Sequence, residues 1–291
     1  MRKLLVIADK NSGKQLAFYH AVEIAKATGA EIEFVSFVHS AGVDSSDMLT
    51  HDEKRMVRNK YLDNGQTEMD KFLASADISG IKLTTDVVWG KSFEQWVIAR
   101  CHQKSFDMVF KSGIRKKSFL YTPSDWRLIR YCPEPVMIVG DSPWKKGGVI
   151  LAALDLGPTK EKYLNLNLNI LRLAITMGKA TNCEVHAVYS MSISQVIYDL
   201  DILDPEDYER KMESKIDPMI IKMMEDAELD RSRLQLVAGK PAKDICRICN
   251  EMNADVVILG NKSHRSIRGR LLGNTAENIL HKVSADVVVI K

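Results

Sequence analysis

Short apolar runs alternate with amphipathic segments along the whole chain. Leu4–Ala8, Glu31–Val38 and Pro135–Val139 have the composition of buried strands. The segments between such runs have helical periodicity, as in Leu16–Thr28, where Gly29 marks the end of the helix. Strands that alternate with helices are connected by right-handed crossovers, so the pattern predicts an α/β fold in which helices cover both faces of a parallel sheet.

Two helix starts in the first half have specific signals. Thr50–Glu53 has the spacing of a capping box and opens a charged helix that reaches about Ala76. Thr122–Asp125 supplies an N-cap threonine followed by proline at the first helical position. The other elements expected in this half are a strand at Ile81–Val88, a helix at Ser92–His102 and a strand at Asp107–Phe110.

The second half repeats this pattern after a linker of turn residues at 140–148. Val149–Leu154 ends in Asp155, as the first run ends in Asp9. Tyr163–Ile170 alternates with the period of a strand, but its counterpart is the helix Leu16–Thr28, and we expect a helix there too. Further strands are expected at Glu184–Tyr189, Leu234–Lys240, Asp255–Gly260 and Asp286–Ile290, with a long helix from Asp204 that Pro218 kinks or interrupts.

The chain is therefore predicted to be an internal duplication. One domain is expected over residues 1–141 and the other over 147–291, each a doubly wound domain with a five-stranded parallel sheet. Ligands of such sheets bind at the carboxyl ends of the strands, which places Asp155 and Gly260 at the edge where a site is expected. The length of 291 residues agrees with about two domains.

Charge and cysteine content narrow the class of protein. A net charge of +3 is too small to indicate a nucleic acid or membrane partner. Five scattered cysteines do not form a disulfide framework, which favours a reducing compartment. Cys246 and Cys249 lie within a helical pattern and are expected to be buried rather than to bind zinc. No run is long enough for a signal peptide or a membrane span, so we expect a cytoplasmic protein without membrane insertion.

The strongest chemical signal is the stretch from Asp255 to Glu277. An apolar run stops at Gly260, a basic loop follows, and Gly273 precedes a helix that opens at Asn274. Glycines let a backbone approach a phosphate, and a helix N-terminus points amide groups at it. The loop cations are Lys262, Arg265, Arg268 and Arg270, which either neutralise phosphates or form a solvated basic loop. The first half has a similar cluster (Lys111, Arg115, Lys116 and Lys117) without the glycines, which leaves open an anionic ligand common to both halves.

These residues resemble the universal stress protein family. The family pattern G-x2-G-x9-G-[ST] follows the fourth strand and binds ATP in the members that have it. Gly260 and Gly273 fit the first and third glycines, whereas Ser263 stands in place of the second. Asn274 replaces the usual hydroxyl residue, and Thr275 comes next. The resemblance covers the whole chain as two tandem domains.

The resemblance implies a nucleotide site in the second half. In members that bind nucleotides, an Asp at the end of the first strand lies near the adenosine, the loop holds the phosphates, and the second strand contacts adenine close to Ser190. ATP is the implied ligand, Mg²⁺-dependent if bound, and the dimers common in the family imply that the two halves form an intramolecular pseudo-dimer. The implied site residues are Asp155, Ser190, Gly260, Lys262, Ser263, Arg265, Gly273, Asn274 and Thr275.

Two departures from the pattern limit this expectation. Ser263 is disfavoured if that position needs a positive φ. In the first half Pro123 removes an N–H that a phosphate could use, so we expect no ATP binding there in the family's manner, although Asp9 is present. Three hypotheses follow: a stress-response protein that binds ATP through its second half, a slow ATP hydrolase at the same site, or a non-nucleotide module that binds an anionic or apolar ligand in either half or a partner on its surface. The sequence predicts no catalytic residue and no metal ligand.

Overall fold

A computed structural model describes residues 1–9, 14–113, 122–156, 161–192, 218–261 and 274–291, together with 207, 209, 210, 213, 265, 266, 269 and 270. The described residues divide into two compact units. Unit 1 contains those up to Asp141, and unit 2 contains those from Ser142 onward.

Unit 1 is a doubly wound α/β unit with a five-stranded parallel sheet in the order β3-β2-β1-β4-β5. Its described elements are β1 (Lys3–Ile7), α1 (Leu16–Thr28), β2 (Glu31–Val38), α2 (Ala41–Ser45), α3 (His51–Ser75), β3 (Leu83–Trp89), α4 (Phe93–Gln103), β4 (Met108–Ser112), α5 (Pro123–Tyr131) and β5 (Val136–Val139).

Unit 2 repeats this topology, with parallel strands in the order β12-β9-β6-β7-β8. Its described elements are β6 (Val149–Leu154), α6 (Glu161–Thr181), β7 (Glu184–Ser192), α7 (Pro218–Asp226), a 3-10 helix (Arg231–Arg233), β8 (Leu234–Gly239), α8 (Pro241–Glu251), β9 (Val256–Gly260), β10 (Arg265–Ser266), β11 (Gly269–Arg270), α9 (Asn274–Lys282) and β12 (Asp286–Ile290).

Local sequence signals account for most element ends. Thr50 and Thr122 each form a complete capping box at the start of α3 and α5. Gly29 ends α1 in the left-handed region, with φ of 72°, and its N–H donates to the carbonyl of Ala25. Pro218 is the first residue of α7, and the preceding part of the helix expected from Asp204 lies largely outside the described residues.

The segment with a strand-like alternation is helical, as its repeat partner indicated. It lies within α6, where Asn165 and Asn169 are exposed and Asn167 is buried. The three asparagines are therefore not equivalent, because a helix turns by about 100° per residue and distributes period-two positions around its axis.

Two short elements were not predicted. The polar segment between β2 and α3 contains the five-residue helix α2, for which no helix was expected. Asp44 of this helix pairs with Arg58 of α3 at 2.6 Å, a contact that periodicity over five residues cannot reveal. The basic loop after β9 contains an antiparallel ribbon in which Arg265 lies opposite Arg270.

Chain order reverses at the same place in both sheets. In unit 1 the switch lies between β1 and β4, and in unit 2 it lies between β6 and β9. Right-handed crossovers place α1 and α3 on one face of the first sheet and α4 and α5 on the other. In the second sheet, α6 and α7 lie on one face and α8 and α9 on the other. The carboxyl ends of the switch strands are where ligands of such sheets bind.

Candidate functional site

A cavity of about 280 Å³ lies at the switch point of unit 2. Leu154 and Gly260, the last residues of β6 and β9, contribute to its wall. Apolar side chains from three helices surround it, and Asp155 and Ser190 provide polar groups at its edge. The apolar helical residues that line it are Leu166, Ile170, Pro241, Ile245, Ala276 and Ile279. This is the arrangement of a small-molecule site, a mainly apolar cleft with a few polar groups.

A buried amide holds the backbone of Asp155. The N–H of Asp155 donates to Oδ1 of Asn167 at 3.0 Å, and Nδ2 of Asn167 donates to the carbonyl of Asp155 at 2.7 Å. Asn167 is only 2% exposed. A buried amide with both ends paired joins the end of β6 to α6, so the backbone of Asp155 is held by the protein itself.

Unit 1 contains the same device. The N–H of Asp9 donates to Oε1 of Gln15 at 3.0 Å, and Nε2 of Gln15 donates back to the carbonyl of Asp9 at 3.0 Å. The carboxylate of Asp9 in addition accepts a hydrogen bond from Oγ of Ser112 at 2.7 Å. Gly260 occupies the position of Ser112 in unit 2, so a hydroxyl at that strand end is particular to unit 1.

The predicted site residue Ser190 lines the cavity, but its side chain is engaged with the protein. Its Oγ donates to Oδ2 of Asp244, in the first turns of α8, at 2.7 Å. Asp244 approaches the end of β8 so closely that a Cβ at Gly239 would lie 2.8 Å from the same oxygen. The glycine is thus needed for this close approach, and the pair joins β7 to α8 at the cavity edge.

The φ of Gly260 is not positive, and its lack of a Cβ instead allows close packing. A Cβ at this position would lie 2.9 Å from Cδ2 of Leu166 and 3.1 Å from Cδ1 of Ile170, both on α6. Positive φ glycines among the described residues are Gly29, Gly80 and Gly147. The first glycine of the motif therefore lets α6 approach the end of β9 and form the apolar floor of the cavity.

The N-terminus of α9 faces the cavity. Asn274 is the first residue of this helix, as predicted, and Thr275 and Ala276 line the cavity. Amide groups in the first turn of a helix are suited to an anion. Arg265 lies on the ribbon strand β10. The other predicted loop residues, Lys262, Ser263 and Gly273, lie outside the described residues.

A buried ion pair occupies the corresponding place in unit 1. Nζ of Lys111 lies 2.8 Å from Oδ1 of Asp125, and the two residues are 8% and 0% exposed. Lys111 pairs with β1 as Leu259 pairs with β6, so these two residues are equivalent. Asp125 precedes Val139, the last residue of β5, by the same number of residues as Ala276 precedes Ile290, the last residue of β12. Leu259 and Ala276 line the cavity of unit 2, so the ion pair fills its counterpart.

Aromatic side chains complete the filling of this place in unit 1. Phe37 contacts Phe93 and Trp96, with ring centroids 6.1 and 5.5 Å apart. The ammonium of Lys111 lies 5.3 Å from the ring centroid of Phe93. The equivalent residues in unit 2 are Ser190, Ala242 and Ile245, which are smaller. Replacement of small side chains by aromatic ones explains physically why the first half lacks the cleft of the second.

Sequence reasoning missed the residues that support the site from a distance. The sequence carried a signal for Asn167, because an asparagine that is buried in a leucine-rich helix must find hydrogen-bond partners. Asp244 had none, because its contact with Ser190 joins residues far apart in the chain.

Cys246 and Cys249 are buried in α8, as predicted. No group of three or more His, Cys, Asp or Glu able to hold a metal ion occurs in the part of the chain that the structure describes. Over the same residues no helix is both long and apolar enough to cross a membrane.

Two tandem doubly wound units, with a mainly apolar cleft at the switch point of the second, define the class of protein. The model of the universal stress protein family matches residues 1–140 and 150–291. These ranges include almost the whole chain, and the protein belongs to the universal stress protein family.

Relatives of the family match over nearly their full length. The chain is 26% identical to universal stress protein E of Salmonella typhi over 300 residues, covering 100% of the chain and 94% of that relative. It is 24% identical to a universal stress protein E homolog of Haemophilus influenzae, covering 100% and 97%.

Solved structures share the fold over the same length. A functionally unknown protein from Pseudomonas aeruginosa superposes with a TM-score of 0.75 at 21% identity, covering 100% of the chain and 92% of that structure. A universal stress protein from Archaeoglobus fulgidus superposes with a TM-score of 0.63 at 16% identity, covering 99% and 98%.

Proposed function

We propose that unit 2 binds an adenine nucleotide, ATP in the first instance, and that the protein acts in a cytoplasmic stress response in which partners read the bound state. The observation that carries the proposal is the cleft at the β6–β9 switch, which faces the N-terminus of α9. Family membership supports it, because members with the glycine motif bind ATP.

The chemistry of the cleft suits the parts of a nucleotide. Leu166, Ile170 and Ile245 offer apolar surface for a base, and the carboxylate of Asp155 can accept hydrogen bonds from ribose hydroxyls. The volume of about 280 Å³ is just below the usual range for small-molecule sites, which begins at about 300 Å³. It therefore suits a base and a sugar, with the phosphates directed toward the first turn of α9 and the basic loop.

The two aspartates that end β1 and β6 provide a matched test. Asp155→Asn removes the charged acceptor from the cleft and keeps the shape of the side chain. We expect its affinity for ATP to fall about ten- to a hundredfold, since hydrogen bonds to charged groups contribute about 1.5–3 kcal/mol. Asp9→Asn makes the same change in unit 1, where Lys111 and Asp125 fill the corresponding place, and should leave ATP affinity unchanged. Isothermal titration calorimetry with ATP and Mg²⁺ measures both.

A transplanted ion pair tests the cleft itself. The double substitution Leu259→Lys and Ala276→Asp introduces into unit 2 the pair that fills unit 1, without a change in net charge. We expect loss of ATP binding with an unchanged circular dichroism spectrum, because the same fold accommodates this pair in unit 1. The glycine motif is tested separately by Gly273→Val. Absence of ATP binding by the parent protein, or full binding by the double variant, refutes the proposal.

Hydrolysis is the enzymatic alternative at the same site. Asp155 is the sole Asp, Glu, His, Lys or Cys among the described residues that line the cleft. A hydrolase that used it as a base would release phosphate in the parent and not in Asp155→Ala. Phosphate release at equal rates from both proteins would exclude this site as its source.

A further inference from the structure

Ser190 and the helix α9 reach the cleft of unit 2 from opposite sides of β6. In the strand order β12-β9-β6-β7-β8, Ser190 lies on β7, Asp155 follows β6, and α9 leads into β12. Asp155 and Ser190 both line the cleft, and α9 contributes Thr275 and Ala276 from its first turn. A nucleotide with its phosphates at α9 and its ribose at Asp155 therefore directs its base toward Ser190.

The hydroxyl group of Ser190 has a single hydrogen, and the protein already uses it. Oγ of Ser190 donates to Oδ2 of Asp244 at 2.7 Å. An ionised carboxylate accepts hydrogen bonds and donates none, so the direction of this bond is determined. Asp244 is not among the residues that the structure describes as lining the cleft, whereas Ser190 is. The hydrogen of Ser190 is therefore directed away from the cleft, and toward a ligand Oγ acts only as an acceptor.

Close packing holds this pair in place. Ser190 is 6% exposed. A Cβ at Gly239 would lie 2.8 Å from Oδ2 and 3.2 Å from Oδ1 of Asp244, so the end of β8 confines the carboxylate. A hydrogen bond from a hydroxyl to a carboxylate is about twice as strong as one between neutral groups. The hydroxyl cannot turn toward a ligand without the loss of this bond inside the protein.

The surroundings of Ser190 suit the edge of a flat ring. Ile245 follows Asp244 in α8 and lines the cleft, so apolar surface lies beside the acceptor oxygen. A ring that carries an amino group can donate to this oxygen, and the 6-amino group of adenine is such a donor. Guanine and hypoxanthine have a carbonyl oxygen at the same ring position. It would face the oxygen of Ser190 without a hydrogen between them, and an unsatisfied polar contact of this kind weakens binding.

Unit 1 has an aromatic ring at the equivalent position. A cavity of about 380 Å³ in this unit is lined by Phe37, the counterpart of Ser190, and the ring of Phe37 packs against Trp96 at 5.5 Å between centroids. The counterpart of Asp244 is Gln95, which is exposed. The serine with a hydrogen-bonded carboxylate behind it is therefore particular to the unit for which a nucleotide site is proposed.

We propose that Ser190 selects the base of the ligand by accepting a hydrogen bond from its amino group, and that Asp244 is the positioning residue that holds the serine hydrogen away from the cleft. The inference rests on the nucleotide site proposed for unit 2 and adds a specificity to it. A purine with an amino group at position 6 is preferred over one with a carbonyl or a hydrogen there. Ser190 contacts the ligand, whereas Asp244 acts through Ser190.

The first test compares ATP with purine riboside triphosphate, in which a hydrogen replaces the 6-amino group. The two nucleotides have the same ribose and phosphates, so what those groups contribute cancels in the ratio of affinities. By calorimetry with Mg²⁺ we expect the full chain to bind ATP about tenfold more tightly, and Ser190→Ala to bind both about equally. Absence of ATP binding by the parent refutes the nucleotide site and this inference with it. ATP binding without a preference in the parent, or with an undiminished preference in Ser190→Ala, overturns only the role of Ser190.

Two matched variants test the role of Asp244 with ITP, which has a carbonyl at position 6 and a hydrogen on N1. Asp244→Ala removes the acceptor that holds the hydroxyl, so Ser190 can donate to the carbonyl, and the affinity for ITP relative to ATP should rise about tenfold over the parent. Asp226→Ala removes a carboxylate from an exposed position of α7 outside the cleft lining and should leave this ratio unchanged. A purely structural role of Asp244 would weaken both nucleotides alike, so an unchanged ratio in Asp244→Ala overturns its assignment. If Asp244→Ala does not fold, the comparison of the parent with Ser190→Ala decides.

Discussion

The buried ion pair of unit 1 can be exchanged for the apolar residues found at its place in unit 2. The perturbation comprises Lys111→Leu, Asp125→Ala and the double substitution. Lys111 and Asp125 lie 2.8 Å apart with almost no exposure. Asp125 also closes the capping box of α5, where its Oδ2 accepts from the N–H of Thr122 at 2.9 Å.

The magnitudes follow from which charge is left without its partner. Lys111→Leu leaves Asp125 buried without its cation, and breaking such a pair costs about 3–5 kcal/mol. Asp125→Ala leaves Lys111 buried and also removes the reciprocal hydrogen bond of the capping box, which adds about 1 kcal/mol. The double substitution leaves no buried charge, and apolar replacement of a whole pair is often neutral. We expect it to cost only about 1–2 kcal/mol, from the lost capping hydrogen bond and incomplete packing.

Urea unfolding measures the three variants. Trp89, Trp96 and Trp126 lie in unit 1 and Trp144 in unit 2, so tryptophan fluorescence reports mainly on the unit that carries the substitutions. The expected result is a double variant that is more stable than either single variant. Additive losses, with the double variant the least stable, would refute the reasoning, since additivity means that the two side chains do not interact.

Further predictions concern the site support, the thiols and acid stability. Asn167→Leu removes both hydrogen bonds to the backbone of Asp155, so it should lower the free energy of unfolding by about 2 kcal/mol and weaken ATP binding. Asn167→Ser can restore one of these hydrogen bonds. It should recover part of the ATP affinity if the amide positions the strand end. Of the five cysteines only Cys183 is not buried, so Ellman's reagent should modify one thiol rapidly in the native chain and none in Cys183→Ser. Burial raises the pKa of Glu33, but the hydrogen bond and charge of Arg100 outweigh it, so the folded pKa lies below the ordinary value of 4.5. The stability that Glu33 contributes is therefore complete above about pH 4.5 and lost as the pH falls through the folded pKa, and Glu33→Gln should lose less stability than the parent between about pH 6 and pH 3.

The order of strands and helices could be predicted from the sequence because local signals determine it. The apolar runs of β6 and β12 and the caps at Thr50 and Thr122 depend on residues within a few positions of each other. The repeat of these signals indicated two similar halves, and it predicted a helix for the segment of α6 whose alternation is typical of a strand. The doubly wound pattern placed Asp155 and Gly260 at one sheet edge, the family resemblance added Ser190, and all three line the cleft.

What each site residue contacts depended on the tertiary structure. Glycine at position 260 was expected to admit a phosphate, but the described contact is the close approach of α6. The filling of unit 1 joins Lys111 to Asp125 across two elements, and no local pattern marks such a pair. Periodicity reports which face of an element is apolar, whereas side-chain volume and charge between elements decide whether a cleft remains there. The sequence alone therefore determined a duplicated fold, and tertiary packing decided that the two halves keep different cavities.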